Sequence, residues 1–195
     1  MSRTIKKLLV ITAAVIMLTA MITATALAAG ESGVTINGDT LSGGAITFSD
    51  FADVTLNGQQ QTTNATWNIS DIIDSRGTGA GWNLSLTMTQ LSEYDTGGSA
   101  YVPGGHTIPT GSVTVNTAPA VTLADGTSSP ADTITVVGTS TQLDTGSPIK
   151  LLSAAIDGGM GSYNISDLTA SLTIRADAYA GTYKTDATVA LVTGP

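Results

Sequence analysis

The sequence predicts an all-β fold, an antiparallel β-sandwich or barrel-like domain with long loop insertions that follows an N-terminal signal peptide. Apolar residues alternate with hydroxyl or amide residues in several segments, which is the pattern of half-buried strands. Thr, Ser and Gly are abundant, and thirteen of the fifteen acidic residues are Asp, which favours strands and turns over helices. Dipeptides that tolerate tight turns separate the apolar runs at Asn37-Gly38, Asn57-Gly58, Asp125-Gly126 and Asp157-Gly158.

Alternation is clearest in two segments. Trp82, Leu84, Leu86 and Met88 interleave with polar residues, and the same pattern runs from Tyr183 to Leu191, which we expect to be the last strand. About ten strands in all, with turns between them, are typical of a sandwich or a barrel-like fold. The shorter β-rich runs are residues 34–36, 45–48, 54–56, 113–115, 121–123, 134–137, 149–152 and 168–174.

The segments between the predicted strands are of three kinds. Residues 70–75 are the one place where a short helical turn is expected. Residues 93–109, rich in Gly and Pro, are predicted to form a long connection, and residues 124–131 a second irregular region. Neither divides the chain into halves that could each bury a core, so the sequence predicts one domain.

The N-terminus has the features of an export signal. Three basic residues precede an apolar stretch from Leu8 to about Ile22, and Ala26-Leu27-Ala28 provides a site for signal peptidase. We therefore predict a signal peptide over residues 1–28 and a secreted domain over residues 29–195, without a further membrane span. The alternative is an uncleaved anchor, since the apolar segment is about long enough to cross a bilayer.

Composition excludes several classes of function. The formal charge of −8 disfavours binding to nucleic acid phosphates, and the lack of Cys with a single His removes thiol chemistry and multi-histidine metal sites. Glycoside hydrolysis needs two carboxyl groups held in one cleft, and no pair stands out from the turn-forming Asp residues. His106 lies in a Gly/Pro-rich loop, where a solvated residue is the simpler interpretation. We expect a protein that is not an enzyme.

A calcium site is possible in principle but the pattern does not support it. Five aspartates supply the oxygen ligands that Ca²⁺ prefers, yet none falls in an Asp-x-Asp-x-Asp-Gly loop. We therefore predict no cofactor and no metal. The aspartates considered are Asp71, Asp74, Asp125, Asp157 and Asp167.

The segment between the two tryptophans, Trp67 and Trp82, has the highest concentration of aromatic, charged and glycine residues that could form a binding site. Exposed indole rings could stack on sugar faces while polar neighbours bind hydroxyl or amide groups. Alternatively, both rings are core anchors, because alternation places them on the apolar faces of their strands. If the segment binds a ligand, the residues expected to do so are Trp67, Asp71, Asp74, Arg76, Trp82, Asn83 and Leu84.

Asp74 and Arg76 flank the start of a glycine-rich run, Gly77 to Gly81. An ion pair between them could order this loop, or the two side chains could bind a polar ligand. If the pair lies on the surface, it contributes only about 0 to 1 kcal/mol. Ordering of the loop is the interpretation that we favour.

Residues 72–86, which contain Trp82-Asn83-Leu84, resemble the first signature of the WxL-domain surface proteins of Gram-positive bacteria. The resemblance implies an exported all-β domain that associates non-covalently with peptidoglycan, often alongside partner surface proteins. The family's second Trp-x-Leu normally lies just before the C-terminal Pro, and here that position reads Val189-Ala190-Leu191. The C-terminal half is also similar, at residues 149–152, 158–163 and 180–183.

Two functions from different classes remain open at this stage. The first is a non-catalytic protein, secreted to the surface of a Gram-positive cell, that binds the wall through the residues named above. The second is a structural protein whose β edges pair with partner surface proteins or with copies of itself. Binding to isolated wall in the absence of partners distinguishes the first from the second.

Overall fold

The computed structural model describes residues 33–195, and the predicted signal peptide lies outside the described residues. The chain divides into two compact units, Met1–Ile36 and Asn37–Pro195. Of the first unit, only residues 33–36 are described; they are exposed and belong to no strand. All the regular structure described below belongs to the second unit.

The described chain is built from short strands and a single turn of 3-10 helix, Ala131–Thr133. The strands are β1 Leu41–Gly43, β2 Ile46–Thr47, β3 Gln61–Ile69, β4 Ile72–Asp74, β5 Trp82–Met88, β6 Ser92–Asp95, β7 Ala100–Tyr101, β8 Val113–Thr117, β9 Val121–Leu123, β10 Ile134–Val136, β11 Ile149–Ala154, β12 Gly161–Ile165, β13 Leu168–Ile174, β14 Tyr183–Lys184 and β15 Ala187–Thr193.

The strands form four open sheets in which all the described pairings are antiparallel. Three sheets have four strands, in the orders β1-β4-β12-β9, β10-β11-β5-β15 and β2-β3-β13-β8, and the fourth has the order β14-β6-β7. The prediction of an antiparallel all-β fold is confirmed, and of the two architectures expected the structure adopts the open, sandwich type.

Alternating burial is regular in two of the core strands, β5 and β3. In β5, Trp82, Leu84, Leu86 and Met88 are buried and the residues between them are half-buried, as predicted. In β3, the buried positions include Thr63 and Ala65, so the strand has a weak apolar signal although its inward face is regular. The sequence did not single out the first half of β3 for this reason.

The core joins the sheets through the aromatic residues. The rings of Trp82 on β5 and Tyr163 on β12 lie 6.3 Å apart, which connects two of the four-stranded sheets. Trp67 on β3 is covered by Phe48 and Phe51, whose ring centroids lie 5.0 and 6.2 Å from its own in edge-on orientations. Edge-on aromatic pairs of this kind add stability beyond the apolar area that they bury.

The short helical turn predicted over residues 70–75 is wrong. Ile72–Asp74 forms β4, an inner strand that pairs with β1 on one side and β12 on the other. Hydrogen bonds to two neighbouring strands hold the backbone of this segment extended. They outweigh the weak local preference of so short a segment for a helical turn.

The segment from Tyr183 to Leu191 was predicted as one strand, and the structure divides it at Thr185 and Asp186. Thr185 donates its hydroxyl hydrogen to the Thr89 carbonyl oxygen at 2.6 Å, and the Asp186 N–H donates to the Thr89 hydroxyl at 3.0 Å. These side-chain hydrogen bonds supplement one backbone bond, from the Thr89 N–H to the Asp186 carbonyl oxygen at 3.0 Å, where the strand is interrupted. β14 pairs with β6, whereas β15 pairs with β5 and is the last strand, as expected.

Three further expectations need correction. Residues 34–36 and 54–56 are not strands; the Thr55 carbonyl oxygen accepts a bond from the Gln61 side chain at 3.0 Å instead of from a neighbouring strand. The connection over residues 93–109 contains most of β6 and all of β7, so it carries part of the three-stranded sheet. The remaining short runs coincide with strands.

Candidate functional site

The glycine loop between β4 and β5 needs its glycines for their backbone conformation. Gly77, Gly79 and Gly81 have φ values of 66°, 63° and 67°, in the left-handed region that other residues avoid. The Gly79 carbonyl oxygen accepts a hydrogen bond of 2.7 Å from the Asp157 N–H, which ties the loop to the turn after β11. The loop is therefore an ordered connection held on both sides.

Arg76, at the start of the loop, forms a bidentate ion pair with Asp74. Its Nε donates to Oδ1 and its Nη2 to Oδ2, each at 2.8 Å. The side chains are only 13% and 1% exposed, so the surface pair considered from the sequence is in fact a largely buried pair. The hydrogen bonds from Arg76 hold the pKa of the Asp74 carboxyl below its ordinary value, although burial acts in the opposite direction.

The same guanidinium joins the loop to the end of the chain. Nη2 also donates to the Gly81 carbonyl oxygen at 2.8 Å, and Nη1 donates to the Thr193 hydroxyl at 2.6 Å. We call the contacts among Asp74, Arg76, Gly81 and Thr193 the Arg76 network. These contacts are the ones expected if the ion pair orders the glycine loop.

Trp82 and Leu84, the first and last residues of the Trp-x-Leu segment, lie fully buried in β5. The Trp82 Nε1–H donates to the Gly159 carbonyl oxygen at 2.9 Å, so the polar atom of the indole is satisfied inside the core. Asn83 points to the other face and donates to the Gly194 carbonyl oxygen at 2.8 Å. All three residues therefore have structural partners.

Trp67 and Asp71 each contact residues outside the glycine loop. Trp67 is 2% exposed and its Nε1–H donates to the Ser49 carbonyl oxygen at 3.2 Å. Asp71 is exposed, and its Oδ1 accepts a hydrogen bond of 3.2 Å from the Ile165 N–H. Of the residues predicted to bind a ligand, Asp71 is the one with an exposed side chain.

The burial of both tryptophans supports their role as core anchors, the alternative left open by the sequence. Stacking on a sugar needs an exposed ring face, and neither indole presents one in this conformation. Asp74, Arg76, Trp82, Asn83 and Leu84 cluster around the glycine loop, while Trp67 belongs to a different sheet. Contact of these residues with a ligand stays a prediction.

Exposed aromatic chemistry occurs elsewhere, around the three-stranded sheet. The His106 and Tyr179 rings stack in parallel, with centroids 3.6 Å apart and planes at 6°. Tyr183 donates its hydroxyl hydrogen to the Tyr179 carbonyl oxygen at 3.0 Å, and an exposed ion pair, Arg175 with Asp177, lies beside them. Together with Ile108, these residues line a groove of about 390 Å³, which we call the His106–Tyr179 groove.

A second aromatic pair lies on the same sheet. The Tyr94 and Tyr101 rings meet edge-on at 5.4 Å, and the Lys184 ammonium lies 4.4 Å from the centroid of the Tyr94 ring. The Tyr101 hydroxyl donates to Asp186 at 3.1 Å, and burial together with this contact raises the pKa of Tyr101. Four of the five tyrosines in the sequence therefore lie on this sheet or in its groove.

Metal ligands do not converge in the part of the chain that the structure describes. Residues 33–195 contain no group of three or more His, Asp or Glu side chains placed to hold a metal ion. Asp125, one of the five candidates, accepts bonds from the N–H and hydroxyl of Thr127, which lower its pKa. Nor do the described residues include a helix of the length and apolarity needed to cross a membrane.

The fold and the Arg76 network define an all-β domain in which a Trp-x-Leu segment is built into the core. Over residues 32–195 the chain matches the model of the WxL domain family, described as surface cell wall-binding, and the chain belongs to this family. No curated protein and no solved structure gives a significant match. The family resemblance inferred from the sequence is confirmed.

Proposed function

We propose that this chain is a secreted, non-catalytic protein that attaches to the peptidoglycan of a Gram-positive cell by non-covalent contacts. The observation that carries the proposal is membership, over nearly the whole chain, of a family of surface cell wall-binding domains. Removal of the signal peptide over residues 1–28 would release the domain outside the cytoplasm, where the wall lies.

The chemistry of the buried carboxyl group supports a non-catalytic role. A glycosidase needs one carboxylic acid kept protonated by its surroundings. Asp74, which lies deepest in the predicted site, has the opposite environment, because Arg76 stabilises its ionised form and occupies both of its oxygens.

Charge constrains how the domain attaches. Residues 29–195 carry 4 basic and 15 acidic side chains, a formal net charge of about −11. Two of those four basic side chains, Arg76 and Arg175, are already paired with aspartates. Long-range attraction to an anionic wall is therefore absent, and affinity has to come at short range from stacking, hydrogen bonds or bridging cations.

A sedimentation experiment tests the proposal. The exported protein is mixed with purified peptidoglycan sacculi from which proteins and anionic polymers have been removed, and the pellet is compared with a mixture that contains no sacculi. We expect the protein to pellet with the sacculi and to saturate as its concentration rises. Protein that remains in the supernatant at every concentration contradicts the proposal.

One observation favours the second function, an assembly protein of the cell surface. β15 is seven residues long, carries no charged side chain, and lies at the edge of its sheet, with β5 as its neighbour among the described strands. An exposed, uncharged edge strand is a template for pairing with another chain. Ala190 lies at its centre and is exposed.

Sedimentation velocity without wall tests this second function. If β15 pairs between copies, the protein forms dimers or larger species, and Ala190→Lys shifts it to the monomer by placing a charge on the edge. Ala155→Lys, at an exposed turn residue, is the control and leaves the assembly unchanged. A monomer at all concentrations, with no co-exported partner retained, contradicts assembly through this edge.

A further inference from the structure

The His106–Tyr179 groove has an aromatic surface that is open to solvent. His106 covers one face of the Tyr179 ring, and Tyr179 nevertheless remains 63% exposed, so the opposite face of the ring is accessible. A large exposed aromatic residue that is fixed by stacking and by a neighbouring hydrogen bond loses little conformational freedom when a ligand binds. Tyr179 is fixed on its inner side by His106, and its carbonyl oxygen is held by Tyr183.

The rim of the groove offers hydrogen-bond donors and acceptors without a net charge. Arg175 uses Nε and Nη2 to bind both oxygens of Asp177, at 2.9 and 3.0 Å. The other three N–H donors of its guanidinium have no partner among residues 33–195. The pair can therefore donate and accept hydrogen bonds while its two charges cancel each other.

This combination distinguishes among the polymers of a bacterial wall. A phosphate-rich polymer needs an unneutralised cation, and the arginine of this groove is already neutralised by Asp177 in a protein of negative net charge. A pyranose ring has an apolar C–H face and a rim of hydroxyl groups. The open face of Tyr179 suits the apolar C–H face of the sugar. The Arg175 and Asp177 side chains at the rim suit its hydroxyl groups.

We infer that the His106–Tyr179 groove binds an uncharged pyranose residue of the wall glycan, with the sugar face on Tyr179 and its hydroxyl groups on Arg175 and Asp177. The groove, of about 390 Å³, falls within the size range of small-ligand sites. This inference rests on the proposed attachment to peptidoglycan and identifies the part of the polymer that is bound.

Titration calorimetry with chitotetraose, the β-1,4-linked tetramer of N-acetylglucosamine, tests the inference. The full exported protein is expected to bind it saturably, and Tyr179→Ala to weaken the affinity by about tenfold, as the loss of one aromatic contact predicts. Tyr179→Phe keeps the stacking face and retains the affinity within about twofold. Ile156→Ala removes an equally exposed apolar side chain, 67% exposed, outside the groove and leaves binding unchanged.

Unfolding in urea shows whether each variant is folded, and little change is expected because Tyr179 is exposed. Wild-type protein that pellets with sacculi but does not bind chitotetraose overturns the inference and leaves the proposed function standing. Equal binding by wild type and Tyr179→Ala, or displacement of chitotetraose by inorganic phosphate, also overturns the inference. Failure to pellet with sacculi instead contradicts the proposed function.

Discussion

Arg76 donates a hydrogen bond of 2.6 Å from Nη1 to the hydroxyl of Thr193, although 117 positions separate them in the sequence. Arg76 begins the glycine loop and Thr193 ends β15, where it pairs with Trp82 of β5, so one side chain joins the loop to the C-terminal strand. Gly194 adds a backbone bond of 3.1 Å to the Gly81 carbonyl oxygen beside it. The Arg76 network therefore stabilises the C-terminal strand as well as the loop.

Replacement of Arg76 by Ala is expected to lower the free energy of unfolding by about 3 to 5 kcal/mol, because it leaves the buried Asp74 carboxylate without a partner. Urea unfolding followed by circular dichroism measures the change. Arg175→Ala is the matched control, because the ion pair of Arg175 with Asp177 is exposed, 60% and 70% for the two side chains. The urea midpoint of this variant should stay close to that of the wild type. Equal midpoints for the two variants would contradict a structural role for the network.

Asp74 is expected to make the domain sensitive to acid. Its pKa in the folded state is held below the ordinary value of an Asp carboxyl, chiefly by the hydrogen bond from Arg76. The corresponding stability is complete above that value and is lost as the pH falls from about 4 through the lower folded pKa. Urea midpoints measured between pH 7 and pH 2 should decline less steeply below about pH 4 in Asp74→Asn than in the wild type.

The matched control for the acid prediction is Asp177→Asn. Arg175 also lowers the pKa of Asp177, but both side chains are well exposed to solvent, so removal of this charge should leave the profile close to that of the wild type. A wild-type profile that stays flat down to pH 2 would contradict the assignment to Asp74.

Strands with large apolar residues at alternate positions could be predicted from the sequence, and β5 and β13 both fall where the pattern placed them. β4 could not, because three residues carry too little periodicity and its conformation depends on two neighbouring strands. β3 was obscured by Thr63 and Ala65, which occupy buried positions with small side chains. The local sequence pattern predicts a strand when large apolar side chains mark its buried face. It does not predict a strand whose conformation depends on pairing with neighbouring strands.

The candidate site also contains one part that the sequence could predict and one part that it could not. The ion pair of Asp74 and Arg76 is a local feature and could be inferred from its spacing. The His106–Tyr179 groove could not, because its two rings are 73 positions apart and meet only through the pairing of β14 with β6. The abundance of tyrosine in residues 94–101 and 179–183 was the available signal, and it gains meaning only with the register of that sheet.

Gly159 is expected to tolerate no side chain, for reasons of space as well as conformation. It has a φ of 70°, and a Cβ atom there would lie 2.7 Å from Trp82 Nε1 and closer still to the Ala154 Cβ. Gly159→Ala should lower the free energy of unfolding by about 1 to 3 kcal/mol beyond the cost of the backbone conformation. That conformation alone costs about 1 to 2 kcal/mol.

Gly58→Ala isolates the backbone cost, since Gly58 has a φ of 78° and open space around the position of a Cβ atom. The difference between the free energies of unfolding of Gly159→Ala and Gly58→Ala, measured in urea, therefore gives the cost of the steric clash at Gly159. Equal destabilisation by both substitutions would show that the core around Trp82 can move aside.

Trp82 is expected to behave as a structural residue. Trp82→Ala should cost roughly 3 to 5 kcal/mol of stability, as for other large buried aromatic residues. In the wild type, iodide should quench the tryptophan fluorescence weakly, because Trp67 and Trp82 are 2% and 0% exposed. Strong quenching, or a spectral shift when wall fragments are added, would instead support direct contact between an indole and the ligand.

Added salt should release little of the protein from peptidoglycan sacculi. With about −11 charges on residues 29–195, the domain gains nothing from long-range attraction to an anionic surface, and screening removes repulsion rather than affinity. Sedimentation with sacculi over a series of ionic strengths should therefore show binding that is unchanged or slightly stronger up to about 1 M salt, where charges are screened within about 3 Å. Release of the protein at moderate salt would contradict attachment by short-range contacts.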